Sequence, residues 1–297
     1  ELLEVNDGVV NMVALDGFRM AVRKELLDNY NSLKTKSLED IVEFHKHFED
    51  INIPTNINMT GNLADLTSMD IWLIVTPAAF FRETLRKARD FYNGQPIIIC
   101  TKGAECSTGQ FMSEILNDVL PECIDFGILS GPQFAAEVAM GCPTGSTLAG
   151  TDAAIEAGQQ ALNKLYLEIS SDIIGTQICG VGKNAAALIS GYNSVAAPSE
   201  NERAMLFTRV WGDVVKIGIA SGAQAITFLG LCGLGDLILS ATSPTSRNYS
   251  GGMAIANGNK PEGTVEGIHA LCGLIERANA LGIDVPVLKE MKNKLKI

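Results

Sequence analysis

Apolar positions change their rhythm along this chain. Up to about residue 171 they gather in short runs, and beyond it they recur at helical spacing. Residues 8–15, 70–76, 96–100, 124–130, 147–150 and 167–170 are brief apolar runs bounded by turn residues, the signature of strands. Amphipathic stretches alternate with them: residues 18–29, 37–48, 77–92 with Pro77 near the first helical turn, 110–120, and an Ala- and Gln-rich stretch before 167. Strand and helix in alternation predict a parallel sheet covered on both faces. After Asp172 the strand-like runs disappear. Residues 184–195 and 202–222 have helical periodicity, and Met205, Leu206, Val210, Trp211, Val214 and Ile217 fall on one face. The expected architecture is an α/β unit over residues 1–171 followed by an all-helical unit over 172–297.

One apolar run needs separate treatment. Residues 217–235 are uncharged and about long enough to span a bilayer. They also hold five glycines with Ser221, Gln224 and Thr227, and a turn is expected near Gly222. This stretch reads as buried core, and no stable membrane insertion is expected.

Composition narrows the function classes. A net charge of −11 argues against nucleic acid or an anionic membrane as a general partner, yet leaves room for a small anion held by a few local cations. The seven cysteines are scattered without C-x-x-C spacing, which suits a reducing, cytoplasmic setting. The first residues lack a basic-then-apolar leader pattern. His45 and His47, two apart on an expected helix, do not share a face, so no metal site is expected.

Candidate chemistry gathers in a few stretches. Residues 230–248 contain a glycine-spaced apolar approach to a lone carboxylate, Asp236, then a turn ending Ser246-Arg247-Asn248. An Arg fork with Ser, Asn and backbone N–H groups can cage an anion, although a solvated polar turn has the same composition. Lys102 follows the strand at 96–100, at the carboxyl end where ligands of open α/β sheets bind; an ordinary surface lysine is the plainer alternative. Residues 131–135, Gly-Pro-Gln-Phe-Ala, form another strand-to-helix turn, with Pro132 expected at the first helical position. Gly180-Val181-Gly182-Lys183-Asn184 evokes a phosphate loop, but Gln177 and Asn184 stand where that motif needs Gly and Ser or Thr. At residues 15–20 only Gly17 matches a G-x-G-x-x-G dinucleotide turn, and Leu15 and Met20 fill the other two positions.

Taken together, Thr101-Lys102-Gly103, the run from Ser130 to Thr144, Lys183-Asn184, the helix at 201–209, residues 230–248 and Thr264-Val265-Glu266-Gly267 occur in an order that resembles the bacterial type of NAD(P)-dependent glycerol-3-phosphate dehydrogenase. The likeness runs from about residue 70 to 281. It implies a doubly wound Rossmann-like domain followed by a helical substrate domain. The implied activity is interconversion of dihydroxyacetone phosphate and sn-glycerol 3-phosphate with NAD or NADP, supplying glycerol 3-phosphate for phospholipid synthesis in the cytoplasm. A homodimer is implied as well. Carried over by motif, Lys183 is the general acid/base, Lys102 a second cation at the carbonyl, and Asp236 the group that orients the pair. The substrate would meet Gly131, Gln133, Asn184, Ser246, Arg247 and Asn248. The cofactor would meet Gly17, Phe18, Arg19, Pro77, Lys102, Ala135, Arg247 and Glu266.

The sequence departs from that pattern at Leu15 and Met20, at a weak second strand near 33–36, and in the loop 192–200. Lys34 or Lys36 would suit a 2′-phosphate. The altered glycine turn keeps open a non-catalytic relative that binds glycerol phosphate or a protein partner.

Overall fold

The structure, a computed structural model, describes residues 10–13, 57–60 and 62–297 apart from 198, 262 and 264. The glycine turn at 15–20 with Gly17, Phe18 and Arg19, the helices expected at 18–29 and 37–48, and Lys34, Lys36, His45 and His47 lie outside the described residues.

Within the first expected strand, β1 (Val10–Val13) pairs in parallel with β2 (Ile57–Thr60), a strand the apolar pattern did not reveal. A separate five-stranded sheet has the order β3 (Trp72–Ile74), β4 (Ile97–Ile99), β5 (Phe126–Ser130), β6 (Gly145–Gly150), β7 (Tyr166–Ser170). Period-two alternation splits the isoleucines of β4 between its faces. Ile97 and Ile99 pack with α1 (Ala78–Ala88) and α2 (Met112–Val119) through Phe81, Leu85, Ile115 and Leu116. Ile98 joins Leu129 and Leu148 under Ala154 and Ala161 of α4 (Asp152–Ala161). Helices therefore cover both faces, as in a doubly wound sheet.

Three local expectations need correction. β6 runs antiparallel to β5, whereas the other pairs of this sheet are parallel. The link between them carries only the short α3 (Ala135–Ala139), too brief to cross a face and return the chain in the same direction. Pro132 is not at the start of α3, because Phe134 is its N-cap, whereas Pro77 is the N-cap of α1, beside the first turn as expected. Met205 is 52% exposed although Leu206, Val210, Val214 and Ile217 of its helix are buried.

From Asp172 onward every described element of regular secondary structure is helical. α5 (Ile173–Ala196) is buried almost all round, and α6 (Glu200–Ala220), α7 (Asp236–Thr242), α8 (Arg247–Ala256), α9 (Glu266–Ala280) and α10 (Pro286–Leu295) complete this half. The helix expected at 184–195 begins eleven residues earlier, so the stretch 180–184 that evoked a phosphate loop lies inside α5. Gly180 costs helix propensity, but a Cβ there would stand 2.9 Å from the Ser130 hydroxyl, so the small residue lets α5 pack against the end of β5. The 217–235 stretch is only partly core: the chain turns at Gly222 (φ 101°), and Ile226 and Leu229 are 68% and 66% exposed.

The two halves are bolted together. The Gln177 amide of α5 donates to Ser113 Oγ (2.8 Å) and accepts from its backbone N–H (2.9 Å). Arg277 of α9 reaches both oxygens of Glu114 on α2, at 2.7 and 2.9 Å. These contacts hold the carboxyl ends of β4 and β5 against α5, where the candidate side chains meet.

Candidate active site

Asp236 stands at the first turn of α7, directly after a π-helical segment, Leu231–Gly235. Such wide turns re-aim the residue that follows them. The segment is braced from the sheet. Glu168 on β7 accepts from Leu231 N–H (3.1 Å), and Thr147 Oγ1 on β6 accepts from Cys232 N–H (3.2 Å). Asp236 is thereby driven into the interior, with 1% of its side chain exposed.

Two lysines converge on that carboxylate from different elements. Lys102, on the loop after β4, donates to Oδ2 at 2.8 Å and to the Gly131 carbonyl at 2.9 Å. Lys183, from the middle of α5, has Nζ 3.2 Å from Oδ1 and donates to Ser240 Oγ at 3.0 Å. Ser240 lies one turn beyond Asp236 on α7 and closes the triangle by donating to Oδ1 at 3.2 Å. The sequence had pointed to Lys102, Lys183 and Asp236 but not to Ser240, whose i+4 spacing from Asp236 was the available signal.

The charges shift one another's protonation. Burial pushes the Lys183 ammonium below the ordinary lysine value and the Lys102 charge adds to that, while Asp236 opposes both. Burial alone would raise Asp236; Lys102 and Lys183 outweigh it and hold the carboxyl below its usual range. The cluster is two cations against one anion, an arrangement that favours an extra negative charge nearby.

A second network runs beside the first. Asn184, next in chain to Lys183, accepts through Oδ1 from Asn248 Nδ2 (2.9 Å) and donates through Nδ2 to Glu266 (3.3 Å). Asn248 Oδ1 in turn accepts from Gly267 N–H (2.9 Å). The network brings α5, α8 and the start of α9 together, and Asn184 and Asn248 both have carbonyl and amide ends engaged within it. Ser246 caps α8, accepting from Tyr249 N–H, and exposed Arg247 opens the helix. The free N–H groups and dipole of that ten-residue helix favour an anion where Arg247 stands. Gly252 permits this crossing: a Cβ there would overlap the Leu188 carbonyl of α5.

The other expected residues are placed more loosely. Gln133 hydrogen-bonds Ser146 on β6, so its amide is used inside the fold. Pro77 and Ala135 sit at the starts of α1 and α3, past the carboxyl ends of β3 and β5. In that crevice the buried Thr76 Oγ1 has no protein partner, and neither does Ser130 Oγ at the end of β5. Unpaired buried hydroxyls at the carboxyl ends of a doubly wound sheet fit a polar cofactor laid across them.

Comparison with known proteins adds an independent finding. Residues 21–156 match the family model described as NAD-dependent glycerol-3-phosphate dehydrogenase N-terminus, and residues 172–296 match its C-terminus counterpart. The chain is 36% identical over 274 residues to the glycerol-3-phosphate dehydrogenase [NAD(P)+] of Parvibaculum lavamentivorans, covering 89% of this chain and 80% of that one. It is 37% identical over 253 residues to the enzyme of the same name from Afipia carboxidovorans, covering 82% and 77%. Among solved structures, the glycerol-3-phosphate dehydrogenase of Coxiella burnetii superposes with a TM-score of 0.77 at 25% identity, over 83% of this chain and 79% of that one.

Proposed function

The chain belongs to the NAD-dependent glycerol-3-phosphate dehydrogenase family, and from that premise we propose how its described residues divide the work. The protein is an NAD(P)-dependent oxidoreductase that interconverts dihydroxyacetone phosphate and sn-glycerol 3-phosphate. The observation that carries the assignment of roles is the Lys102–Asp236–Lys183 bracket.

When bound, the nicotinamide supplies or takes up the hydride at the carbon bearing the reacting oxygen. Lys183 holds the proton for that oxygen. In the reductive direction its ammonium donates as the carbonyl becomes an alcohol, and in the oxidative direction its free amine accepts. Burial and the Lys102 charge make that proton available by lowering its affinity for the amine. Lys102 stabilises negative charge developing on the same oxygen. Asp236 keeps the two cations side by side, and Ser240 sets the Lys183 Nζ position.

Arg247, Ser246 and the first turn of α8 receive the phosphate. Binding at this non-reacting end positions the carbonyl at Lys183, because Asn184 and Asn248 tie the start of α8 to α5. Pro77, Lys102, Ala135, Arg247 and Glu266 line the ground for the cofactor, with the Thr76 hydroxyl available to it. Gln133 enters as a support for the Gly131 turn through Ser146.

Residues 1–171 would form the dinucleotide-binding domain and 172–297 the helical substrate domain, a division supported by the start of α5 at Ile173. The proposal includes a homodimer, supported by the exposed apolar side chains Tyr166, Ile226 and Leu229. It also includes a cytoplasmic location, supported by seven cysteines that form no disulfide, with a role in supplying phospholipid synthesis. No described helix is long and apolar enough to cross a membrane. The non-catalytic alternative loses its footing, since Lys102, Lys183, Asp236 and Arg247 are all present and the first three are assembled.

The test is a titration with NADH and NADPH followed by nicotinamide fluorescence, with dihydroxyacetone phosphate then added. Saturable binding and substrate-dependent oxidation are expected. Folded protein that binds neither cofactor would contradict the reading.

A further inference from the structure

Residues 104–111 form a closed loop that has no part in the chemistry above. Its ends are joined by the Ala104–Phe111 bridge, and inside it Glu105 N–H donates to the Gln110 carbonyl at 2.8 Å and Gly109 N–H to the Glu105 carbonyl at 2.8 Å. The loop lies flat on α9. A Cβ on Gly273 would stand 2.8 Å from Ala104 Cβ, and one on Gly109 would stand 2.6 Å from Arg277 N. Main chain therefore meets main chain at both ends of the loop, one helical turn apart on α9. Cys106 is exposed at the turn of this loop, and Cys272 is half-buried on α9 beside Gly273. The two thiols lie close enough to act on each other's protonation.

We propose that Cys106 and Cys272 are a redox modification site, a dithiol that closes to a disulfide and staples the 104–111 loop to α9. Disulfide geometry needs Cα atoms within about 4.4–6.8 Å, which only backbones in direct contact supply without strain. The Ala104–Gly273 contact joins the backbones two residues before Cys106 and one residue after Cys272, so the two main chains run together there. Desolvation by its neighbours first, and then the nearby Cys272 thiol, push the Cys106 thiol up to about 11. Lys292 of α10 opposes that rise and Glu276 of α9 adds to it. The exposed position of Cys106 gives a small oxidant access, and its raised pKa means that the oxidation quickens as pH rises and the thiolate forms.

The chemistry is the two-electron oxidation of a dithiol by a peroxide. The peroxide O–O bond breaks as one sulfur takes up hydroxyl, forming a sulfenic acid and releasing water. The second thiol attacks that sulfur, the S–S bond forms, the S–O bond breaks and a second water leaves. The crosslink would enclose more than half of the chain and join the loop after Lys102 to the helix that begins at Glu266. Closing so long a segment removes conformational entropy from the unfolded chain and stabilises the fold.

The test uses the full chain treated with hydrogen peroxide, blocked with N-ethylmaleimide, digested and mapped by mass spectrometry, alongside thermal melts with and without dithiothreitol. Neither readout depends on the enzyme's activity. The expected result is an intramolecular Cys106–Cys272 crosslinked peptide and a melting temperature several degrees higher than in the reduced protein, both reversed by dithiothreitol. Cys106→Ser, at an exposed position, should fold normally and abolish both changes, and Cys272→Ala should do the same. Sulfinic acid at Cys106 without a crosslink, a Cys106 disulfide between two molecules, or a stabilisation that persists in Cys106→Ser would overturn the proposal.

Discussion

Lys183 Nζ lies 3.2 Å from Asp236 Oδ1, and the other oxygen of the same carboxylate is taken by Lys102 at 2.8 Å. A single buried anion thus serves two ammonium groups, and the protonation of Lys183 depends on both neighbours. Its pKa lies below the ordinary lysine value of about 10.4, with burial the main cause. With Lys183 as the proposed proton donor, the reductive direction draws on its ammonium, and turnover of dihydroxyacetone phosphate should fall as pH rises through that lowered value. Oxidation of glycerol 3-phosphate needs the free amine and should rise over the same interval. Lys102→Met removes a charge that lowers the Lys183 pKa, so it should move both limbs to higher pH. Steady-state profiles in the two directions check this; limbs that stay in place in Lys102→Met would separate them from Lys183.

Ser240 supplies a hydrogen bond to Lys183 and one to Asp236. Ser240→Ala should lower kcat about tenfold with little change in KM, the effect of about 1–1.5 kcal/mol from a buried hydrogen bond that positions the proton donor. Ser240→Thr, which keeps the hydroxyl, should recover most of the loss. A variant defective only in KM would place Ser240 in substrate binding instead.

The Asn184–Asn248 pair is the seam between α5 and α8. Asn248→Ala would leave Asn184 Oδ1 and Gly267 N–H without their partner inside the protein. A loss of roughly 1–3 kcal/mol in stability is expected, visible as a melting temperature a few degrees lower. The apparent affinity for the phosphorylated substrate should fall with it, because Arg247 rides on the same helix.

Gly252 sets how closely those helices approach. A side chain at this position meets the main chain of α5 at Leu188, which has no rotamer to give way. Gly252→Val should cost about 1–3 kcal/mol or more, read in a urea unfolding curve. Wild-type stability in this variant would mean that the crossing is looser than described.

Much of this arrangement was legible in the residues themselves. Ile97, Ile98 and Ile99 announced a buried strand, and Lys102 just beyond it was placed at a carboxyl end by the alternation of strand and helix. Lys183, Asp236, Arg247 and Asn248 were singled out by motif order. The failures have local causes. The start of α5 was hidden because Gly175, Gly180 and Gly182 lower helix propensity, and only tertiary contact explains why small residues are wanted there. The reversal at β6 depends on how short α3 is, which periodicity over five residues cannot reveal. Met205 kept the helical period yet faces outward, since period alone does not say where an apolar stripe ends. Ser240 was missed because a serine inside an apolar helix carries no signal until Asp236 is known to be buried beneath it.

The most direct test of the account is the kinetic effect of Lys183→Ala beside Arg247→Ala, measured with dihydroxyacetone phosphate at saturating cofactor. Lys183→Ala should lower kcat by about 10²–10⁴-fold while substrate still binds, as expected for loss of the proton donor. Arg247→Ala should chiefly raise KM, through loss of the proposed phosphate contact. Small and equal effects in the two variants would contradict the assignment of Lys183 as the group that moves the proton.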